Sequence, residues 1–345
     1  MVALDLRGRG WRAAGLIIRL IIQTIRRDPS GSDQIDEASN LSRPDPSGPD
    51  QIDVEHQATD LVIGSTRAGY ADDEGLRTCH PKLPMVTCAD LADFWNQVIA
   101  RFLAGGPAVP WDPQMQAWAM AYWGRGRGEV SHDAFPEPYI GALDHRPVGV
   151  FLGLNPGRAQ LDFQGRSGLF ADEIRHHGTY SAWAATWPYL RNPWVATMGP
   201  NRYLRSRLGF LRTWTEQPLL TANAMVTFEL YPWHSTAVTA AMRPDPGIVR
   251  EFVWQPIREL GAPVFAFGAP WFGLLEDGLG LQVVDRLGTG GRPYLTEVPS
   301  RAVLVLRGED GLVVVAERHR GGAGPPRRSE ARVLREAIRP WLGEP

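Results

Sequence analysis

Residues 148–157 read Val-Gly-Val-Phe-Leu-Gly-Leu-Asn-Pro-Gly, an apolar run that passes directly into a turn containing glycine and proline. A short apolar run bounded by turn residues predicts a buried β-strand over 148–152. Pro156 restricts the backbone of the turn, and the glycines allow another molecule to approach closely. The stretch therefore places one short amide side chain, Asn155, on a rigid loop at the end of a buried strand.

Strands and helices alternate along the chain around this stretch. Four more apolar runs predict strands, at Leu219–Phe228, Val264–Phe267, Arg301–Leu306 and Leu312–Ala316. Sequence compatible with a helix occupies Ala89–Ala104, Pro113–Tyr122, Arg202–Thr213, Ile248–Leu260 and Ser329–Leu342. This alternation predicts an α/β domain with a mainly parallel sheet, whose functional residues gather at the carboxyl ends of the strands.

The composition of the 345-residue chain narrows the class of protein. Apolar residues make up 43% of the sequence, which is enough for a sizeable core and excludes disorder throughout. The two cysteines, Cys79 and Cys88, cannot form a disulfide framework or a four-thiolate metal site. His176, His177 and His234 lack the spacing of metal ligands. We therefore expect no metal and no other cofactor.

The first 84 residues differ from the rest of the chain. Residues 28–36 recur with one change at 45–53, in a segment rich in Pro, Ser, Gly and Asp that buries too little surface to offset its ordering entropy. Two interpretations remain open: residues 1–84 are a disordered extension, or the start was assigned too early and Met85 is the functional start. Both leave one domain at 85–345, with a helical lead-in over 85–147 and an α/β core over 148–345.

An apolar stretch at Leu16–Ile25 is interrupted by Arg19 and is shorter than the ~20 residues needed to cross a bilayer. It also lacks the cleavage site of a secretory signal peptide. We therefore expect a cytoplasmic protein without a membrane partner. A helix lying on a membrane surface is the alternative that remains open.

Four segments resemble motifs of the uracil-DNA glycosylase superfamily, in the order in which that family has them. Residues 148–157 resemble its first motif, in the Gly-x-Asn-Pro-Gly form. Residues 219–226 resemble its second strand, residues 264–269 its third, and residues 313–320 its last strand and histidine motif. The resemblance spans 148–342 and implies a three-layer α/β/α sandwich around a central, mainly parallel four-stranded sheet. The chain departs from the family at 320–322, where Arg-Gly-Gly follows the histidine instead of Pro-Ser.

The resemblance implies roles for four of these residues. Asn155 would hold the attacking water, and His319 would stabilise the negative charge that develops on the departing base. Asn223 would read the edge of the base through its amide, and Phe170 would stack on the flipped base. The structural alternatives for the last three are a surface histidine, a buried asparagine bonded to the backbone, and a core phenylalanine.

Two further positions bear on the size of the base. The uracil-specific branches of the family place a tyrosine at the position of Gly157, where it closes the space beside the 5-position of the base. Glycine leaves that space open, so a pyrimidine with a bulky 5-substituent would fit. Glu229 follows the predicted second strand, and we expect it to line an enlarged base pocket with Tyr231, Trp233 and His234.

The net charge of −2 conceals an uneven distribution, because residues 148–345 carry 22 basic and 18 acidic side chains. Arginine suits phosphate recognition through its planar fork of donors. We expect DNA contacts from two groups of arginines, Arg202, Arg205, Arg207 and Arg212 in one and Arg318, Arg320 and Arg327 in the other. The resemblance places Arg320 where the family has the residue that fills the gap left by the flipped nucleotide.

The leading hypothesis is a monomeric, monofunctional DNA glycosylase that removes a modified pyrimidine, as in the branch of the superfamily that excises bulky phage-modified cytosine in antiviral defence. The single lysine of the chain is Lys82, so a lysine-dependent lyase step is not expected and water is the nucleophile. Two alternatives remain open. One is repair of uracil or mismatched thymine, and the other is a nucleic-acid-binding module without catalytic activity.

Overall fold

The computed structural model describes residues 86–120, 130–238, 244–293, 301–318 and 324–342. The predicted N-terminal extension, His319 and Arg320 lie outside these residues. Within them the chain forms a seven-stranded mixed sheet with accompanying helices, so the predicted α/β class is confirmed. No described helix combines the length and the apolar character that a bilayer crossing demands.

The strands run in the sheet order β1-β3-β2-β4-β7-β6-β5. The pairs β2–β3, β2–β4 and β4–β7 are parallel, whereas β1, β6 and β5 join by antiparallel pairing. Their bounds are β1 Tyr139–Ile140, β2 Gly149–Gly153, β3 Met225–Glu229, β4 Val264–Phe267, β5 Gln282–Gly288, β6 Ala302–Arg307 and β7 Val313–Arg318.

The helices occupy the connections and both ends of the described region. They are α1 Cys88–Leu103, α2 Pro113–Met120, α3 Leu161–Gln164, α4 Leu169–His177, α5 Tyr180–Ala184, α6 Trp194–Met198, α7 Arg202–Trp214, α8 Pro246–Val249, α9 Gln255–Leu260, α10 Pro270–Gly273 and α11 Arg328–Ile338. A π-helical turn joins α8 to α9, and a second one follows α10. The long predicted helix 248–260 is therefore three consecutive segments.

The predicted four-stranded sheet is wrong in its number of strands. Strand β1 has only two residues, which is too short to produce an alternating pattern. Strand β5 is largely exposed or half-buried and contains Asp285 and Arg286, so it lacks an apolar signature. The predicted strand at 301–306 is present as β6, but it forms an antiparallel hairpin with β7. Four parallel strands thus form the centre of a wider mixed sheet.

The predicted strand 219–228 is wrong in its first half. Leu219 is 89% exposed, and residues 222–224 form a 3-10 turn before β3 begins at Met225. Apolar residues at 219–220 extended the apparent run, but only residues 225–229 enter the sheet. Strand β3 therefore begins six residues later than predicted and ends at Glu229, one residue beyond the predicted end.

An aromatic layer fixes α7 against one face of the sheet. The ring of Phe210 lies 5.0 Å from that of Phe265 and 6.1 Å from that of Phe151, measured between centroids. The rings of Phe151 and Phe265 stack across neighbouring strands at 5.4 Å. Such pairs add about 0.5–1.5 kcal/mol each beyond the burial of their area. Because α7 is held along its length, its first turn stays near the carboxyl ends of β2 and β3.

Substitution Phe210→Ala is expected to lower the free energy of unfolding by about 3–5 kcal/mol, since it removes a buried ring from this layer. Leu219→Ala is the matched control at an exposed apolar residue and should change stability by less than about 0.5 kcal/mol. Urea denaturation measures both values. Equal effects of the two substitutions would contradict the packing described.

Candidate functional site

A cavity of about 440 Å³ opens at the carboxyl ends of β2 and β3. Its volume falls within the range of roughly 300–1,000 Å³ that is common for small-molecule sites. Three residues singled out from the sequence line it, namely Asn155, Gly157 and Glu229. The remaining lining residues are Glu137, Tyr139, Ile140, Pro156, Arg158, Gln160, Gln164, Tyr189, Trp194, Met198, Asn201, Tyr203, Leu204 and Thr227.

Parallel pairing of β2 with β3 brings these residues together. The register sets Gly153 opposite Glu229, the last residues of the two strands. Hydrogen bonding continues beyond the sheet, since the Tyr231 amide donates to the Leu154 carbonyl at 2.9 Å and the Ser235 amide donates to the Gly157 carbonyl at 2.9 Å. The two strand-end loops therefore run side by side and form one rim of the cavity.

The Asn155 side chain is oriented by this neighbouring loop. Its Nδ2 donates a hydrogen bond of 2.8 Å to the Ser235 carbonyl. A carbonyl only accepts, so the amide nitrogen must face Ser235 and Oδ1 is the atom left to bind a ligand. An amide oxygen can accept a hydrogen bond from water but cannot remove its proton. The arrangement therefore suits Asn155 to orienting a water molecule.

Gly157 lies where the sequence predicted open space. Its φ of +86° is a backbone conformation that side-chain-bearing residues rarely adopt, and no atom lies within 4 Å of the position that a Cβ would take. Its carbonyl is also 3.2 Å from Nδ1 of His234. The loop backbone is thus fixed while the space above Gly157 stays unfilled by the described residues.

Glu229 is a buried carboxyl group at the cavity wall. The Tyr203 hydroxyl donates to its Oε1 at 2.6 Å, whereas Oε2 is buried without a hydrogen-bond partner among the described residues. Burial raises the pKa of Glu229 from 4.5 to about 7, and the nearby Glu137 adds to the rise. Arg207 and the hydrogen bond from Tyr203 act in the opposite direction. The group is therefore close to half protonated at neutral pH.

Gly153 makes room for this arrangement. A Cβ at Gly153 would overlap the Tyr203 hydroxyl and both carboxyl oxygens of Glu229. Arg207 packs against Tyr203, with its guanidinium carbon 3.1 Å from the centroid of the tyrosine ring. Its Nη1 also donates a hydrogen bond of 3.2 Å to the Tyr203 carbonyl. Arg207 is fully buried, which corrects the expectation that it contacts DNA.

A second polar cluster, which the sequence did not indicate, forms another part of the wall. The Tyr189 hydroxyl donates to Oε1 of the buried Glu137, and Gln164 Nε2 donates to that hydroxyl at 2.9 Å. Nε2 of His234 lies 3.3 Å from the same Glu137 oxygen. Glu137 stands between two prolines in an irregular segment, where no periodic pattern marks it. The cavity thus has two buried carboxyl groups.

Two sequence-predicted base contacts lie away from the cavity. Asn223 is exposed, and it precedes β3 at the edge of the sheet opposite to Asn155, which corrects its expected role in reading the base. Phe170 is fully buried in the core and does not line the cavity. Its ring stacks on Trp194 at 5.8 Å, and Trp194 is one of four aromatic residues that line the cavity, with Tyr139, Tyr189 and Tyr203.

The remaining predicted DNA contacts are on the surface. Arg202 and Arg205 are exposed on the first turns of α7, beside the cavity residues Asn201 and Tyr203. Arg318 is exposed at the end of β7, and Arg327 is exposed just before α11. Arg158, also exposed and at the cavity rim, is a cation that the sequence did not single out. Arg212 instead donates from Nε to the Leu220 carbonyl at 2.8 Å.

Within the described ranges, no group of three or more histidine, cysteine, aspartate or glutamate side chains has an arrangement that would hold a metal ion. The side chains that line the cavity include two carboxyl groups, several amides, aromatic rings and the guanidinium of Arg158. One of those carboxyl groups, Glu229, titrates near neutral pH.

The raised pKa of Glu229 makes a prediction about stability. In the folded protein Glu229 holds its proton up to about pH 7, whereas in the unfolded chain it releases it near pH 4.5. Its ionisation therefore destabilises the fold progressively as pH rises through this window. Glu229→Gln has no proton to lose, so its stability relative to wild type should increase by about 2–3 kcal/mol between pH 5 and pH 8.

Urea denaturation at several pH values measures this difference. The control Glu309→Gln removes one carboxylate at an exposed position. A stability difference between Glu229→Gln and wild type that stays constant from pH 5 to pH 8 would contradict the buried environment assigned to Glu229.

Comparison with known proteins identifies no relative of this chain, since no family model, no curated protein and no solved structure matches it.

Proposed function

We propose that the protein is a monofunctional DNA glycosylase that hydrolyses the N-glycosidic bond of a flipped, modified pyrimidine and leaves an abasic site. One observation carries the proposal. Asn155, which has an amide oxygen available to orient water, and Glu229, a carboxyl group that titrates near neutral pH, line the same cavity at the ends of adjacent parallel strands.

The central sheet gives further support. The four segments that resemble the uracil-DNA glycosylase superfamily supply β2, β3, β4 and β7, which are the parallel strands at the centre of the sheet. Parallel pairing sets their carboxyl ends along one edge, where such folds hold their ligands. We infer a uracil-DNA-glycosylase-like three-layer fold, to which β1, β5 and β6 add antiparallel edges.

The lining of the cavity suits a nucleobase. A base has flat apolar faces and polar edges, and it reaches such a pocket only after leaving the helical stack. The aromatic rings of Tyr189 and Trp194 supply apolar walls, while Asn201, Gln160 and Gln164 supply donors and acceptors. The open space above Gly157 accommodates a large 5-substituent. The proposed substrate is therefore a bulky modified cytosine of the kind found in phage DNA, and the proposed role is antiviral defence.

The proposed reaction uses one water molecule. Oδ1 of Asn155 accepts a hydrogen bond from the water and directs its oxygen towards C1′ of the sugar. The C1′–N1 bond breaks with its electron pair moving to the base, and the water oxygen then bonds to C1′. The water gives up one proton to solvent and the base anion takes up one proton from solvent, so one water is consumed for each base released. Because Asn155 cannot accept a proton, the sugar must acquire cationic character before the water attacks.

The exposed arginines beside the cavity are proposed to bind the phosphates of the substrate strand. Arg158, Arg202 and Arg205 are exposed near the cavity mouth and make no ion pair with another described residue. The proposed roles of His319 at the departing base and of Arg320 in the gap left by the nucleotide concern residues outside the described ranges.

Substitution Asn155→Ala is expected to lower base excision by at least about 100-fold, because the attacking water loses its positioning contact. The matched control is Asn223→Ala, which removes the same side chain at an exposed position far from the cavity and should retain activity within about twofold. Excision is measured by treating the reacted DNA with alkali and counting breaks at abasic sites. Full activity of Asn155→Ala would remove Asn155 from the reaction.

The substrate class is tested with a panel of oligonucleotides. They contain uracil, a guanine–thymine mismatch, 5-hydroxymethylcytosine or its glucosylated form, each in single-stranded and duplex DNA. Excision confined to the modified cytosines is the expected result. Excision of uracil or thymine alone would favour a repair enzyme, and binding without any abasic product would favour a module that lacks catalysis.

A further inference from the structure

Glu137 lines the cavity with a carboxyl group of which one oxygen is available to a ligand. Oε1 accepts a hydrogen bond from the Tyr189 hydroxyl, and Nε2 of His234 lies 3.3 Å from the same atom. Oε2 accepts no hydrogen bond from a described residue but retains accessible surface, and 5% of the side chain is exposed. An unpaired polar atom in such a pocket commonly indicates a ligand. The water-directed reaction leaves this oxygen without a role.

The other carboxyl group of the cavity, Glu229, offers no such atom. Its Oε1 accepts from the Tyr203 hydroxyl at 2.6 Å, and its Oε2 is buried beside Gly153. Glu137 is therefore the carboxyl group of the cavity wall that can contact a bound molecule.

The surroundings of Glu137 make it an acceptor. Gln164 Oε1 accepts from the Gln160 amide at 2.6 Å, so Nε2 faces Tyr189 and donates to its hydroxyl at 2.9 Å. The hydrogen of that hydroxyl then goes to Glu137. The negative charge of Glu137 contributes to the raised pKa of Glu229. Because a carboxylate oxygen only accepts hydrogen bonds, Oε2 suits an amino group of a ligand and repels a carbonyl oxygen.

One imidazole ring connects Glu137 to the loop of Gly157. Nδ1 of His234 lies 3.2 Å from the Gly157 carbonyl, and its Nε2 faces Oε1 of Glu137. The ring is buried, so packing holds the two residues at this spacing. The open space over Gly157, which the proposed function assigns to the 5-substituent of the base, is thus one ring away from Glu137. The 4-position is next to the 5-position in every pyrimidine.

We propose that Oε2 of Glu137 accepts a hydrogen bond from the 4-amino group of the flipped base and makes the cavity selective for cytosine-class bases. Cytosine and its 5-modified forms carry a donor at the 4-position, whereas uracil and thymine carry a carbonyl oxygen there. The inference rests on the proposed function, because it takes a flipped pyrimidine as the occupant of the cavity and places its 5-substituent over Gly157.

The test measures excision from two single-stranded oligonucleotides that differ only at the 4-position, one with 5-hydroxymethylcytosine and one with 5-hydroxymethyluracil. Wild type is expected to prefer the cytosine. Glu137→Gln keeps the volume of the side chain, but its amide can donate to a carbonyl oxygen as well as accept from an amino group. The ratio of kcat/KM for the cytosine to that for the uracil should therefore fall at least about tenfold in Glu137→Gln.

Glu229→Gln is the matched control, because it removes the other carboxyl group of the cavity, whose oxygens are covered by Tyr203 and by burial. It should leave the ratio of the two kcat/KM values within about threefold of wild type. An equal fall of this ratio in both variants would contradict direct contact between Glu137 and the base.

A change on the base shows whether the effect arises at the 4-position. In 5-hydroxymethylpyrimidin-2-one a hydrogen replaces the amino group, and 2′-fluorinated nucleotides resist hydrolysis, so that binding is measured apart from cleavage. Loss of the amino group should weaken binding to wild type by about tenfold, and binding to Glu137→Ala by less than about twofold. Equal losses in the two proteins would assign the contact to another residue and overturn the inference.

The outcomes separate this inference from the proposed function. If wild type releases no base, but its binding depends on the amino group and on Glu137 as described, the glycosylase proposal is wrong and the recognition by Glu137 stands. If wild type releases base with a preference that Glu137→Gln leaves unchanged, the glycosylase proposal stands and the inference is overturned. Absence of both base release and amino-dependent binding would overturn both.

Discussion

The parallel register between β2 and β3 is the constraint on which the cavity depends. It sets Gly153 opposite Glu229 and starts two loops side by side, so that Asn155 and Glu229 lie in one wall. The absence of a side chain at Gly153 leaves room for a carboxyl group and a phenol that any larger residue would displace. The guanidinium of the fully buried Arg207 packs against the ring of Tyr203 and fixes its position. Sheet pairing, helix packing and the protonation of Glu229 are therefore linked.

Burying the ionisable groups of Arg207 and Glu229 costs free energy that apolar side chains in the same positions would not. Arg207 is fully buried, and its Nε and Nη2 have no hydrogen-bond partner among the described residues. Burial lowers its pKa and raises that of Glu229, so each charge is disfavoured where it lies. Replacing such buried charges with apolar residues is often neutral or stabilising in proteins. Proteins commonly keep unfavourable local features at functional sites, and the Glu229 cluster fits that pattern.

The sequence indicated the parts of the fold that have strong local patterns. Residues 264–267 form the predicted strand with the predicted bounds, because every residue of the run is buried. The sequence singled out Asn155 because a buried strand passes directly into a rigid turn, and the residue lies in the cavity lining. Asn223 was misplaced because Leu219 and Leu220 extended an apolar run that enters the sheet only at Met225. Glu137 was missed since its role depends on tertiary contacts with Tyr189 and His234, which no local pattern encodes.

The central claim is that water cleaves the bond between base and sugar and leaves the DNA backbone intact. Mass spectrometry of the products formed in ¹⁸O-labelled water tests it directly, with DNA containing glucosylated 5-hydroxymethylcytosine as substrate. The account predicts an intact modified base free in solution and one ¹⁸O atom at C1′ of the abasic sugar. Release of no base, or incorporation of ¹⁸O at a phosphate, would contradict it.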